Sequence, residues 1–264
     1  MLLATALATT ASAQNFDYNS IRDEIAVALS NPSLPDATAR YYGAPPAIFS
    51  IVSEHAKILF SNDLFKDYIA REAYNNQAIF VRADGTVDQA LLRDMMAAIS
   101  TDKVSDGFAR LPPEDLRLVY AVLVEIFRNM PSDACSQAIN QSGSPTEAQR
   151  AEMAALSNLP RSDVYLYLSI TRKALLSELS GKPAPMPLSA TQTDIAMQSL
   201  TSNYARALAS HVRGQQLALA MQYPQGASAS DVCEGTLLVF QTALGISGTV
   251  GDWALRLLAD PANR

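Results

Sequence analysis

Pro112-Pro113-Glu114-Asp115-Leu116-Arg117-Leu118-Val119-Tyr120-Ala121-Val122-Leu123-Val124-Glu125-Ile126-Phe127-Arg128-Asn129-Met130 is the stretch on which the fold turns. Its apolar residues Leu116, Val119, Tyr120, Leu123, Ile126, Phe127 and Met130 recur at steps of three and four, the period of a helix. A strand would alternate in twos. Leu118, Val122 and Val124 widen the stripe until most of the circumference is apolar, and such a helix must be packed on more than one side. The reading therefore puts it at the centre of an all-α domain, opened by the two prolines.

Moving outward, helical spacing continues in both directions. Upstream, Ile21, Ile25 and Leu29 share one stripe that stops before Asn31-Pro32, and the Pro-rich stretch to Pro46 reads as an irregular connector. Pro45-Pro46 opens a helix through Ile48, Val52, Ala56 and Leu59. Ser61-Asn62-Asp63 ends it and caps a second helix carrying Leu64, Tyr68 and Ile69, so the two form a hairpin. Ile79-Phe80-Val81 before Ala83-Asp84-Gly85 has the look of a short strand and turn, but Thr86 and Gln89 make a capping box that starts another helix.

Downstream, Ser144-Pro145-Thr146-Glu147 is a capping box for a helix to about residue 157. Val164-Tyr165-Leu166-Tyr167-Leu168 alternates, yet Leu168, Arg172, Leu175, Leu176 and Leu179 carry it on with helical spacing to Gly181. Lys182-Pro183-Ala184-Pro185-Met186-Pro187 is a stiff extended connector. A long helix is expected over 191–223, with Gly214 its weak point, followed by helices over 231–244 and 250–258. The expectation is an all-α bundle of about nine or ten helices. Residues 14–264 form one helical domain, and 181–188 is where a subdomain boundary would fall.

Two cysteines occur in near-identical settings, Ser132-Asp133-Ala134-Cys135 and Ser230-Asp231-Val232-Cys233. Each follows a long apolar helix, a proline and an Asp placed to cap a new helix, and Asp231 with Glu234 reads as a capping box. The match at an offset of 98 raises a degenerate helical duplication as an alternative reading. Neither site is Cys-x-x-Cys, and the acids beside Cys233 oppose a thiolate, so Cys135 and Cys233 are expected to form a structural disulfide. Residues 1–13 are small and apolar and end in Ala11-Ser12-Ala13, the pattern before a signal-peptidase cut, although no Lys or Arg precedes Arg22. Disulfide and leader together point to a periplasmic or secreted protein.

Charge and composition exclude several functions. The chain carries 26 acidic and 20 basic residues over 264, a net charge of -6, with the basic residues scattered, which argues against nucleic acid. No run after the leader is long enough to span a membrane. The only histidines, His55 and His211, stand in separate helices without a second histidine within a turn, so local spacing writes no zinc site. Asp84-Gly85-Thr86-Val87-Asp88 lacks the pattern of a calcium loop. No phosphate cradle or haem motif is present, and no cofactor is expected.

Two function classes stay open. The first is an exported helical protein acting on another protein, as an inhibitor, immunity protein or assembly factor. Its candidate contact residues are Tyr41 and Tyr42, aromatics beside prolines that need a pocket either in their own domain or in a partner. The second is a cell-wall-directed hydrolase using dispersed carboxylates such as Glu72, Asp115, Glu125 and Glu178. No catalytic residue is assigned, because acids on amphipathic helices are usually their solvated face.

Overall fold

The computed structural model describes residues 17–80, 100–140 and 142–260. The leader at 1–13, the Thr86–Gln89 box and the 84–88 segment lie outside the described residues. Among those residues fourteen segments are α-helical and none is a strand, so the expected nine or ten helices is short of the observed number while the all-α class stands. They are α1 Tyr18–Leu29, α2 Leu34–Tyr41, α3 Phe49–Phe60, α4 Asp63–Asn75, a one-turn α5 Gln77–Phe80 and α6 over 100–107. After a 3-10 turn at Phe108–Arg110 come α7 Pro113–Asn129, α8 Ser132–Ile139, α9 Pro145–Leu156 and α10 Arg161–Ser180. The chain closes with α11 Ala190–Ser210, α12 Gly214–Gln222, α13 Ala229–Gly245 and α14 Gly248–Ala259.

The central helix α7 packs against α9, α10, α13 and α14. Leu116, Val119 and Ile126 are fully buried, each contributing about 1.5–3 kcal/mol of transfer free energy. Leu118 departs from the expected stripe and faces outward, 41 % exposed. Tyr120 and Phe127 both meet Phe240 of α13, with ring centroids 5.2 and 6.1 Å apart.

Three elements differ from the sequence reading, each for a local reason. The supposed connector before Pro46 contains α2, where Pro35 sits in the first turn at no hydrogen-bond cost, Asp36 and Arg40 oppose the helix dipole, and Leu34 and Ala39 are buried. The long helix over 191–223 is broken into α11 and α12. At Gly214 a Cβ would stand 1.8 Å from the Leu208 carbonyl oxygen, an approach only glycine permits. The cap of α13 is Ser228, not Asp231. The Ser228 hydroxyl accepts from the Asp231 backbone N–H at 3.1 Å and donates to its carboxylate at 2.6 Å.

Other termini follow the sequence more closely. Asn62 caps α4, and Gly181 ends α10 in the left-handed conformation at φ 67°. Ser144 precedes Pro145 as expected, but its hydroxyl makes no capping bond; the complete capping box is formed by Ser189 and Gln192 at α11.

Two apolar clusters hold these helices. The larger surrounds α7 and gathers Leu200, Cys233, Ala243 and Leu255 from beyond 181–188 into one cluster with Leu116 and Val119. The smaller joins Ile21, Ile25 and Leu29 of α1 to Phe65, Tyr68 and Ile69 of α4. Helices α3 and α10 belong to both: Val52 and Leu168 lie in the larger cluster, Ala56, Phe60 and Leu175 in the smaller. No helix among the described residues is long and apolar enough to cross a membrane.

Candidate functional site

Because α3 and α10 bridge the two clusters, the space between the clusters is walled by them, with α1, α2, α4, α6 and α9 closing the sides. That space is a cavity of about 360 Å³. Protein interiors pack to crystal density and leave few voids larger than one water, so an opening of this size is of the kind that takes a ligand. Its wall is mostly aliphatic and aromatic, including Leu29, Leu34, Phe60, Phe65, Met153 and Leu175. On α10 the lining residues Tyr167, Leu168, Thr171, Arg172 and Leu175 fall on one helical face.

Two polar pairs interrupt this apolar wall. The first joins α3 to α10: the Arg172 guanidinium stands 3.2 Å from Nδ1 of His55. Burial in the first place, and the Arg172 charge in the second, push the His55 imidazole down to about 4, against a hydrogen bond to the Leu168 backbone. His55 is therefore neutral at pH 7, its Nδ1 accepts from Arg172, and the ring proton sits on Nε2. Among the described residues no carboxylate pairs with Arg172, and it is the only Lys or Arg of the cavity wall.

The second pair joins α9 to α10. Burial raises the Glu152 carboxyl above its ordinary range, opposed by a hydrogen bond from Tyr167. Burial and the neighbouring carboxylate hold the Tyr167 hydroxyl well above the usual tyrosine range, so it remains a donor. Beside them Oε1 of Gln149, also in the wall, is buried with no partner among the described residues.

The residues singled out from sequence fall in different places. Cys135 of α8 and Cys233 of α13 form a disulfide with Cα atoms 5.7 Å apart, as expected. It lies in the larger cluster, and neither cysteine lines the cavity. Tyr41 and Tyr42 line the cavity at the end of α2, their rings edge to face at 5.3 Å. The Tyr41 hydroxyl meets Thr146 at 3.2 Å, and its ring lies under the Arg150 guanidinium at 5.7 Å.

His211 is not inside a helix but follows α11 at the break. It stands 3.1 Å from Glu234, which also accepts from Arg213 at 2.7 Å, while Gln216 donates to Asp231 at 3.0 Å. Arg213 also pairs with Asp231, which is buried. This knot fastens the α11–α12 break to the start of α13.

The dispersed carboxylates are held by local partners. Asp115 pairs with Lys173 at 2.5 Å, Glu178 with Arg110 at 2.6 Å, and Glu125 with Arg128; Glu72 accepts from Asn76 at 3.3 Å. A second concavity of about 460 Å³ under Pro185, Met186 and Pro187 gathers Asp106, Glu178 and Asp260 beside Arg110 and Arg256. Arg256 is nearly buried and donates to the carbonyls of Ala109 and Leu111 at 2.9 and 2.7 Å, so it serves the turn below. Among the described residues no cluster of His, Cys, Asp or Glu is arranged to hold a metal.

Sequence reasoning left Arg172, Glu152 and Gln149 out of the candidate residues and took His55 as an ordinary helical histidine. One signal was present. Arg172 lies four residues after Leu168 and three before Leu175, a cation on an apolar stripe, and His55 lies three after Val52. What spacing alone did not supply was that the two stripes face each other.

No protein-family model, curated protein or solved structure matches the chain. Fold and site together define a class: an all-helical protein with one internal disulfide and an apolar cavity bearing a cation that has no carboxylate partner among the described residues.

Proposed function

We propose that this chain is an exported binding protein that houses one small, mainly apolar ligand between its two apolar clusters. The cavity of about 360 Å³ carries the reading, since it falls in the size range of ligand pockets and combines an apolar wall with a few convergent polar groups. Export is supported by the disulfide, which persists in oxidising compartments. Binding is favoured over two-carboxylate hydrolysis because Glu152 is the one carboxyl among the described residues of the wall.

The test is a titration of the oxidised chain with N-phenyl-1-naphthylamine, an uncharged fluorophore that brightens in apolar surroundings. Saturable binding at about one site per chain is the expected result. Ala56, buried and facing the cavity, supplies the control: Ala56→Leu fills part of the void, abolishing binding while stabilising the fold by about 0.5–2 kcal/mol. A linear, unsaturable signal that Ala56→Leu leaves unchanged removes the reading.

A second reading, docking of another protein, is favoured by a different observation. Leu219 on α12 and Tyr223 at its C-terminal cap are 54 % and 69 % exposed, and Val212 before the helix is fully exposed. A Leu219→Ser and Tyr223→Ser variant that keeps a partner isolated with the native chain would dismiss this surface.

A further inference from the structure

Resting on the ligand-binding reading above, we infer that the ligand is a monoanionic amphiphile: one hydrocarbon chain ending in a carboxylate, with the carboxylate seated on Arg172 and the chain lying in the apolar cavity. Arg172 is the origin of the inference. A guanidinium partly buried among apolar side chains gives up some of its hydration, and an anion pairing with it restores that interaction. Among the described residues no carboxylate does so, and its guanidinium meets His55 Nδ1 at 3.2 Å. That bond uses part of the donor fork and orients the rest, leaving N–H groups suited to a two-oxygen acceptor.

The number of charges selects the head group. Among the described residues Arg172 is the only Lys or Arg of the wall, which suits one negative charge and favours a carboxylate over a dianionic phosphate. The other acid in the wall does not compete strongly for the cation, because Glu152 is hydrogen-bonded to Tyr167 and burial drives it toward its neutral form. His55 is held neutral and adds no second positive charge. The tail follows from volume: an apolar void of ~150 Å³ accommodates one benzene ring. A cavity of about 360 Å³ then suits a chain on the order of a dozen carbons.

The experiment is displacement of N-phenyl-1-naphthylamine from the oxidised full chain at pH 8. The competitors are decanoate, 1-decanol, decyltrimethylammonium and decyl phosphate, each below its micellar concentration. Decanoate is expected to bind about tenfold or more tighter than 1-decanol, with the cation weakest. Arg172→Gln is expected to erase the gap between decanoate and 1-decanol while the neutral fluorophore still binds, and Arg172→Lys to keep part of it. Equal displacement by decanoate and 1-decanol, or a gap that survives Arg172→Gln, overturns the inference while leaving the cavity a ligand site. Decyl phosphate binding tighter than decanoate overturns the choice of a carboxylate. Failure of the fluorophore to bind the native chain removes the ligand-binding reading and the inference with it. Should Arg172→Gln not fold, the head-group series on the native chain decides alone.

Discussion

His55 and Glu152 face the same cavity and respond to pH in opposite directions. The His55 imidazole is depressed from 6.5 to about 4, so above pH 6.5 it is neutral whether the chain is folded or not. As pH falls from 6.5 toward 4 the unfolded chain takes up a proton that the folded chain refuses, and stability is lost by on the order of 3 kcal/mol. Glu152 has the opposite sign: its folded pKa is raised from the ordinary 4.5, so its contribution is full below that value and is lost as pH rises through the raised pKa. Urea unfolding at intervals from pH 4 to 8 resolves the two. His55→Gln is expected to flatten the acid limb, and Glu152→Gln to raise stability at pH 8; an unchanged acid limb in His55→Gln would show that another group governs it. At this scale chemistry was partly legible. The sequence placed Arg172 and His55 on apolar stripes, but their partnership across 117 residues belongs to the fold.

Elements were legible to the extent that their signals were local. The period of α7, the Asn62 cap and the Gly181 stop each rest on residues within a few positions, and each is found where it was expected. The misreadings came from competition between local signals. Prolines at 32 and 35 suggested a connector, although one of them occupies the first turn of α2, where it is tolerated. Uninterrupted apolar spacing through 191–223 concealed a break that tertiary contacts stabilise, with His211, Arg213, Asp231 and Glu234 knotted at the junction. Gly214→Ala tests how strictly that break is required. The added methyl collides with the Leu208 carbonyl, and a loss of about 1–3 kcal/mol is expected in chemical denaturation. Native stability in this variant would mean that α11 and α12 can straighten into one helix.

For the whole molecule, the covalent link belongs to the larger cluster alone, whereas the cavity is lined by residues of both. The disulfide closes a loop across 98 residues and joins α8 to α13 beside the central helix. Replacing both cysteines with serine is expected to cost about 4–5 kcal/mol in the chain-entropy view, measured as the shift in urea midpoint against the oxidised protein. Because the cysteines are not part of the cavity wall, fluorophore affinity should survive in the variant wherever it remains folded. Loss of binding from a folded variant would show that the two clusters are coupled.

The sequence by itself determined that the chain is helical, which helix is central, and that the cysteines pair, since periodicity, composition and the scarcity of thiols are properties of the chain. Only the tertiary structure decided that α3 and α10 stand apart far enough to leave a cavity and that Arg172 lines it with no carboxylate partner among the described residues. The physical reason is that an apolar stripe records which face of a helix leaves water, whereas the distance between two such faces depends on how every neighbouring helix packs.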